Sequence, residues 1–183
     1  LETTDNRYFY LDEDYTVFKN KEMIDESNFD GYIAPYAETP LDEELTGQSV
    51  YEDILNSANR YVYIMTPYLI IDSEMTNTLI HTAKKGVDVR IIMPGIADKQ
   101  IVHDIGTSYY AQLIQGGVKI YEYEPGFVHS KVFVSDDIYA TVGTINLDYR
   151  SLYLHFENGT LLYHSKHVMN IKQNFEETLK HCK

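Results

Sequence analysis

The sequence predicts an α/β fold in which helices cover both faces of a mixed β-sheet. One observation is that short apolar segments, which end at proline, alternate with longer segments whose apolar residues recur every three or four positions. This alternation is typical of β-α-β units with parallel strands. A second observation is that two apolar runs near residue 135 are separated only by a short polar turn, as in a hairpin. Because hairpin strands are antiparallel, the sheet is predicted to be mixed.

The β-α-β units occupy the middle of the chain. In order, the pattern predicts a helix over Thr46–Asn59, a strand over Tyr61–Thr66, a helix from Ser73 to Lys85, a strand over Val87–Met93, a helix from about Lys99 to Gln115 and a strand over Val118–Tyr123. Pro67 and Pro94 stop the first two strands, since proline cannot donate a hydrogen bond to a neighbouring strand. Ser73 is predicted to cap the second helix and Gly86 to end it.

The hairpin and the elements after it complete the predicted sheet. These elements are strands over Phe127–Val134 and Ile138–Val142, a helical turn over Leu147–Leu152, a strand over Phe156–Tyr163 and a last helix from Ser165. Ser135, Asp136 and Asp137 supply the turn between the hairpin strands. Asn158 and Gly159 leave an alternative open, because this pair also favours a two-residue hairpin turn.

Composition indicates one globular domain preceded by a segment of a different kind. With 183 residues, of which 44% are hydrophobic and 23% charged, the chain can bury a sizeable core. Residues 1–30 are acidic and aromatic without a clear period, so we interpret them as a linker or an interdomain insert. The regular pattern begins at Gly31, and residues 31–183 are predicted to form the domain.

Two residues of the first hairpin strand indicate phosphodiester chemistry. His129 and Lys131 lie on the same face of the predicted strand, roughly 6.5 to 7 Å apart along it. At this separation an imidazole can reach a phosphorus atom while an ammonium holds a phosphoryl oxygen. Gly143 lets the backbone approach a ligand, and Thr144 and Asn146 supply a hydroxyl and an amide that donate to phosphoryl oxygens. A single histidine or lysine on a strand is usually a surface residue, whereas this combination predicts a phosphate site.

These residues carry a resemblance to a known family. The signature of the phospholipase D superfamily matches six positions of this sequence: His129, Lys131, Asp136, Gly143, Thr144 and Asn146. The flanking segments KIYEYEPGF (119–127), GTINLDYRSLY (143–153) and HFEN (155–158) resemble the C-terminal half of bacterial cardiolipin synthases. The resemblance runs from about Gly31 to the end of the chain, and it implies a phospholipase D-like catalytic domain.

The resemblance implies a mechanism in two steps without a metal or other cofactor. In the family, one histidine attacks the phosphodiester to form a phosphohistidine, and a second histidine protonates the departing alcohol. His129 would take one of these roles, while Lys131, Thr144 and Asn146 stabilise the negative charge on the phosphoryl oxygens. In a cardiolipin synthase the substrates are two phosphatidylglycerols, and the products are cardiolipin and glycerol.

Two acidic residues of the matched region have different expected roles. The resemblance places Glu157 where the family has a carboxylate that accepts a hydrogen bond from the histidine ring and so fixes its tautomer. The residues alone also allow a solvated glutamate on a strand. Asp136 is expected to hold the hairpin turn, with direct participation in the chemistry as the second alternative.

The motif occurs once in this chain, whereas cardiolipin synthases carry it twice and form the active site where the two halves meet. We therefore expect His129 to find its partner histidine in an N-terminal half with the second motif or in a second copy of this chain. The chain begins with Leu1 and has no apolar run near the roughly 20 residues that span a bilayer. We accordingly expect a fragment of an enzyme that other segments attach to the cytoplasmic face of the bacterial cell membrane.

The net charge of the chain helps to distinguish between the nucleases and the lipid enzymes of the superfamily. The formal net charge of −13 opposes a polyanion over most of the surface, so no nucleic acid partner is expected. A local patch near Lys131 and Arg150 can still attract one phosphate. Two alternatives stay open: a homodimeric single-motif phosphodiesterase or endonuclease, and a non-catalytic domain that keeps the fold for assembly.

Several other residues have two interpretations. Four tyrosines either line a groove for glycerol or acyl chains or pack in the core or at an interface: Tyr109, Tyr110, Tyr149 and Tyr153. Arg150 either contacts a headgroup phosphate or pairs with a carboxylate. His103 and Asp104 do not indicate a metal site, because adjacent helix residues point in different directions. Cys182 is the sole cysteine, which favours a reducing compartment.

Overall fold

A computed structural model describes residues 30–183 apart from Glu43. Gly31–Lys183 form one compact unit. The linker or insert expected over residues 1–30 lies outside the described residues, except for Asp30.

A mixed sheet of seven strands lies at the centre of this unit. Its strands are β1 (Tyr32–Glu38), β2 (Tyr61–Met65), β4 (Asp88–Pro94), β5 (Lys119–Tyr123), β6 (Val132–Ser135), β7 (Tyr139–Gly143) and β9 (Glu157–Tyr163). Their order in the sheet is β1-β9-β7-β6-β2-β4-β5. The pairs β2-β4 and β4-β5 are parallel and the other four are antiparallel, which confirms the predicted mixed sheet. Two short strands, β3 (Leu69–Ile70) and β8 (Leu147–Asp148), pair with each other in parallel.

Helices cover both faces of this sheet, as the sequence predicts. The described helices are α1 (Thr46–Ser57), α2 (Ser73–Lys84), α3 (Gln100–Ser108), α4 (Tyr110–Gln115) and α5 (His167–Leu179), and a π-helical turn spans Arg150–Leu154. Strand β2 shows how the core divides. Val62 and Ile64 pack into the cluster that contains α1, α2 and α4, whereas Tyr63 and Met65 pack into the cluster that contains α5. All of β2 is buried, because side chains on both of its faces meet helices.

The first hairpin strand is shorter than predicted. It begins at Val132 rather than Phe127, so His129 and Lys131 lie just before it and not on it. The reason is the neighbouring strand β2, whose last residue, Met65, pairs with Val132. Since Pro67 ends the preceding extended segment, residues before Val132 have no strand to pair with on that side.

Other boundaries differ for local reasons. The predicted helix from Lys99 to Gln115 is divided at Tyr109, where the hydroxyls of Thr107 and Ser108 donate to the backbone oxygens of Asp104 and Ile105. The cap of α2 is Asp72, whose carboxylate accepts from Met75 N at 2.8 Å, and Ser73 is the first helical residue instead.

The structure also differs from the prediction at residues 147–152, at residues 158–159 and at strand β1. The helical turn over Leu147–Leu152 is β8 followed by the π-helical turn. Asn158 and Gly159 lie within β9, so the alternative of a hairpin turn there is wrong. Strand β1 was not predicted; it contains Pro35 and, among the described strands, lies at the edge of the sheet and pairs with β9, a position where proline is tolerated.

The turn between β6 and β7 is tied to the start of β2. Asp136 is 6% exposed, and its carboxylate accepts hydrogen bonds from the backbone N–H groups of Asn59, Arg60 and Tyr61 at 2.7, 2.9 and 2.9 Å. Asp136 and Asp137 have φ values of 56° and 65°, a left-handed conformation that aspartate tolerates better than most residues. The expected structural role of Asp136 agrees with these contacts.

Asp136→Asn is expected to lower the free energy of unfolding by about 2 kcal/mol, because an amide offers one acceptor oxygen to three N–H donors. Asparagine has nearly the same size and also tolerates positive φ, so the change isolates the acceptor. Urea denaturation followed by circular dichroism measures the effect. Asp53→Asn, at an exposed carboxylate of α1, is the matched control and should change the free energy of unfolding by no more than about 0.5 kcal/mol; equal costs would contradict the assignment.

Asp137 makes the free energy of unfolding depend on pH, and the sign of this dependence follows from its ion pairs. Ion pairs with Lys172 (2.8 Å) and Arg60 (2.6 Å) hold the pKa of the Asp137 carboxyl at about 2, below its ordinary value of 3.8. Because the pKa is depressed in the folded state, the contribution of Asp137 to stability is present above about pH 4 and is lost as the pH falls towards about 2. The difference in unfolding free energy between the wild type and Asp137→Asn should therefore shrink across this interval. A difference that stays constant down to pH 2 would show that the charge is not responsible.

Candidate active site

Six of the seven predicted site residues line one cleft, which lies at one end of strands β6, β7 and β9. The cleft has a volume of about 500 Å³ and is lined by His129, Ser130, Lys131, Val132, Val142, Gly143, Thr144, Asn146 and Glu157. The antiparallel register Val132↔Val142 explains this convergence, since the start of β6 lies beside the end of β7. Gly143 pairs in turn with Gly159, which brings the start of β9 and Glu157 to the same end of these strands. Asp136 is not among the lining residues, because it lies at the opposite end of β6.

Lys131 is held in the wall of the cleft. Its side chain is buried, and Nζ donates a hydrogen bond to the backbone oxygen of His129 at 2.7 Å. Burial lowers the pKa of the Lys131 ammonium, while the carboxylates of Glu157 and Asp148 act in the opposite direction. The ammonium has two further N–H groups, which are available for an anion in the cleft.

His129 lies at the mouth of the cleft and is exposed. Its ring packs against Phe127 with the centroids 5.7 Å apart, and Phe127 packs in turn against Tyr68 at 6.2 Å. The hydrogen bond that the sequence predicted from the His129 ring to Glu157 is not formed in the described part of the chain. Glu157 Oε1 instead accepts from Ser151 Oγ at 3.0 Å and lies 3.3 Å from Nδ1 of His155.

The loop after β7 presents Thr144 and Asn146, and contacts on both sides fix its backbone. Tyr51 donates its hydroxyl proton to the backbone oxygen of Ile145 at 2.7 Å, and Leu147 N donates to Thr66 Oγ1 at 3.2 Å. The backbone N–H of Thr144 donates to Asn158 O at 2.8 Å, and Thr144 Oγ1 accepts from Asn158 N at 3.0 Å.

Position 143 requires glycine for a reason other than the predicted approach of a ligand to the backbone. A Cβ atom at this position would lie 2.3 Å from Asn158 O and 2.7 Å from Gly159 Cα. The backbone of β9 therefore passes too close for any side chain. The glycine is required by this strand contact, although the residue also lines the cleft.

A chain of polar contacts leads out of the cleft. Asn146 Nδ2 donates to Ser151 Oγ at 2.8 Å, Ser151 Oγ donates to Glu157, and Arg150 Nη2 lies 3.3 Å from Nε2 of His155. A guanidinium can only donate, so Nε2 of His155 must accept, and the ring proton lies on Nδ1 facing Glu157. Ser151 was not predicted as a site residue; its place directly after Arg150 in the matched segment GTINLDYRSLY was the available signal.

A second groove adjoins the cleft along this chain of contacts. It has a volume of about 400 Å³ and is lined by Tyr68, Ile70, Lys99, Val102, Asn146, Asp148, Tyr149, Arg150, Ser151, His155 and Glu157. Asn146 and Glu157 line both the cleft and the groove. Of the four tyrosines named from the sequence, Tyr149 is the one that lines this groove.

The described residues contain no group of three or more His, Cys, Asp or Glu side chains that could hold a metal ion. In the same part of the chain, no helix combines the length and apolar character needed to cross a membrane.

Comparison with known proteins identifies relatives of this sequence. Residues 51–179 match a family model described as cardiolipin synthase, PLD-like domain. An uncharacterized protein of Streptococcus mutans is 59% identical over 150 residues, which cover 82% of this chain and 32% of that protein. Cardiolipin synthase 1 of Bacillus cereus is 38% identical over 164 residues, which cover 90% of this chain and 32% of the synthase. The chain thus spans about a third of the length of these relatives.

Solved structures share the fold at low sequence identity. A phospholipase D family member, Nuc of Salmonella typhimurium, has a TM-score of 0.70 at 14% identity and covers 83% of this chain and 96% of its own. Phosphatidylserine synthase of Haemophilus influenzae has a TM-score of 0.62 at 19% identity, with 82% of this chain and 39% of its own covered. These likenesses confirm the predicted fold class.

Tyr51→Phe is expected to loosen the loop that carries Thr144 and Asn146, because it leaves the buried oxygen of Ile145 without a donor. The expected loss of stability is about 1 to 2 kcal/mol, and amide hydrogen exchange at residues 144–147 should become faster. Tyr153→Phe is the matched control, since the Tyr153 hydroxyl contacts Gln48 and Asp72 and lies outside the cleft and the groove. Unchanged exchange at these amides in Tyr51→Phe would contradict this role of Tyr51.

Proposed function

This chain belongs to the family of cardiolipin synthases with a phospholipase D-like domain, and we propose that it supplies half of the active site of a phosphatidyltransferase. The enzyme would join two phosphatidylglycerols into cardiolipin and release glycerol. The observation that carries the proposal is the convergence of His129, Lys131, Thr144 and Asn146 on one cleft. The alternative of a non-catalytic domain leaves this convergence unexplained.

The chemistry of the cleft suits a phosphoryl group that gains negative charge. The Lys131 ammonium is held at one wall, where partial burial strengthens its attraction to an anion. Thr144 Oγ1 accepts from Asn158 N at 3.0 Å and donates to Asn158 O at 3.4 Å, and a phosphoryl oxygen can replace this long second contact as the acceptor of its proton. Asn146 uses one amide proton for Ser151 and retains the other. These donors are fixed before a substrate binds, which lowers the cost of stabilising the transition state.

The proposed reaction has two displacements. In the first, a histidine nitrogen forms a bond to phosphorus while the bond from phosphorus to the glycerol oxygen breaks, and a second histidine gives its proton to the departing glycerol. In the second, the hydroxyl of another phosphatidylglycerol attacks the phosphohistidine and passes its proton to the second histidine. The nucleophile is released unchanged. His129 takes one of these two roles.

A second histidine has to come from another half-site, either a second copy of this chain or an N-terminal half with its own motif. The surface around the cleft supports this part of the proposal. Val142 in its wall is exposed, and Leu154 and Phe156, beside the start of β9, are 69% and 56% exposed. Apolar side chains of this size around an open polar cleft are the pattern of a surface that a partner covers.

The substrates are phospholipids, so we place the reaction at a membrane, and we infer its cytoplasmic face because the sole cysteine, Cys182, forms no disulfide. Attachment to the membrane would come from other segments of the working enzyme. The alternative within the superfamily is a homodimeric phosphodiesterase or endonuclease. The net charge of −13 disfavours a nucleic acid substrate, and the named relatives favour the transferase.

The proposal is tested with soluble short-chain phosphatidylglycerol and mass spectrometry of the products. We expect cardiolipin and glycerol, and a loss of at least about a thousandfold in rate for His129→Ala, since either role of this residue is essential. His81→Ala, which removes an exposed histidine from α2, is the matched control and should retain the rate.

The possible products separate the alternatives. Phosphatidic acid without cardiolipin would indicate a hydrolase. Product from this chain only after addition of a half that carries the second motif would assign the second histidine to that half. Absence of product in both arrangements would contradict the proposed function.

A further inference from the structure

Two cations line the groove beside the cleft, and neither has a carboxylate partner among the described residues. Lys99 and Arg150 line it and are both exposed. Within the described residues, the one side-chain polar contact of Arg150 is to the ring of His155, and the side chain of Lys99 forms no hydrogen bond or ion pair. Two carboxylates also line the groove, but each is engaged. Asp148 accepts from Ser151 N at 3.0 Å, and Glu157 accepts from Ser151 and His155.

We propose that this groove is a binding site for a second glycerophosphodiester anion, namely the acceptor phospholipid, with Arg150 and Lys99 contacting its phosphate. This inference rests on the proposed function in one respect, since that function defines the anion as an acceptor. The ligand chemistry itself follows from the groove.

The charge balance of the chain makes the unpaired cations informative. The sequence has 28 acidic residues against 15 lysines and arginines, so carboxylate partners are abundant. Other cations use them: Arg60 and Lys172 pair with Asp137, and Arg90 and Lys119 pair with Asp88. Within the described residues Lys99 and Arg150 have no carboxylate partner; Lys84 and Lys85 have none there either, but Lys99 and Arg150 are the two that line the groove. Guanidinium and ammonium groups are the usual contacts of a phosphate, and the guanidinium can form two parallel hydrogen bonds with it.

The rest of the groove fits the uncharged part of a phospholipid. Tyr68, Ile70, Val102 and Tyr149 give it apolar walls, and its volume of about 400 Å³ lies in the range of small-molecule sites. Helix α3, which supplies Val102, also carries Ile101 and Ile105 on its exposed side, with Ile101 76% exposed. These side chains give the helix that lines the groove an exposed apolar surface, which acyl chains of a bound lipid would contact.

Position links the groove to the reaction. Asn146 and Glu157 line both the groove and the cleft, so a molecule in the groove has one end next to a phosphate in the cleft. An acceptor phosphatidylglycerol carries its attacking hydroxyl and its own phosphate on the same glycerol. A hydrolase uses water as the acceptor and needs no second anion site. The groove therefore belongs to transfer rather than to hydrolysis.

The test measures binding of dihexanoyl phosphatidylglycerol to this chain by NMR with methyl-labelled valine. Val102 lines the groove and Val142 lines the cleft, so their methyl groups report separate dissociation constants. We expect Arg150→Gln to weaken binding reported by Val102 about tenfold, and Lys99→Gln with Arg150→Gln to weaken it further. Binding reported by Val142 should change little.

Lys84→Gln is the matched control. It removes one exposed positive charge from α2, and Lys84 lines neither the cleft nor the groove. It should leave both dissociation constants unchanged. Equal weakening by Lys84→Gln and Arg150→Gln would overturn the proposal, because the effect would then be one of net charge. The absence of any titration at Val102 would also overturn it, as would tighter binding of a short oligodeoxythymidylate at Val102.

The outcome for the groove is separable from that for the proposed function. If cardiolipin is formed but Arg150→Gln behaves like Lys84→Gln in the binding experiment, this inference fails alone. If the groove binds the lipid through Arg150 and yet no transfer occurs in either arrangement, the proposed function fails and the anion site stands. In an active enzyme, Arg150→Gln should raise the proportion of phosphatidic acid among the products.

Discussion

The register between β6 and β7 is the constraint on which the cleft depends. Pairing of Val132 with Val142 brings the residues before one strand beside the residues after the next, and so His129 and Lys131 meet the loop that carries Asn146. The left-handed turn at the other end keeps this register, because a buried carboxylate binds three backbone N–H groups of a distant segment. A slip by one residue would turn every side chain of a strand to the opposite face and separate the site.

Glu157 connects the reactive cleft with its surroundings in an unexpected way. The family resemblance implies that Glu157 orients the reactive histidine, whereas in the structure its carboxylate accepts a hydrogen bond from Ser151 and lies 3.3 Å from Nδ1 of His155. Its negative charge still acts on the cleft, since it supports the ammonium form of Lys131 against the effect of burial. The same carboxylate fixes the tautomer of His155, and through that ring it affects the position of Arg150.

The net charge of the chain and the local charge of the site favour different kinds of anionic substrate. The acidic surplus opposes long polyanions, while the cations of the cleft and groove form no ion pair within the described residues and can contact single phosphates. An enzyme that handles two lipid phosphates in succession needs such local sites, and it does not need a basic surface. This distribution is the physical reason for preferring a transferase over a nuclease within one fold.

The sequence by itself determined the alternation of strands and helices, the hairpin and the set of residues around the cleft. These features depend on local period, on turn residues and on a motif whose spacing is short. Tertiary structure decided where the strands end, as Met65 limits β6, and why Gly143 must lack a side chain, as β9 passes beside it. It also decided the partners of Asp136 and Glu157 and the existence of the groove, which joins residues 68–70, 99–102 and 146–157. Contacts between segments so far apart leave no local pattern, and only packing of the whole chain specifies them.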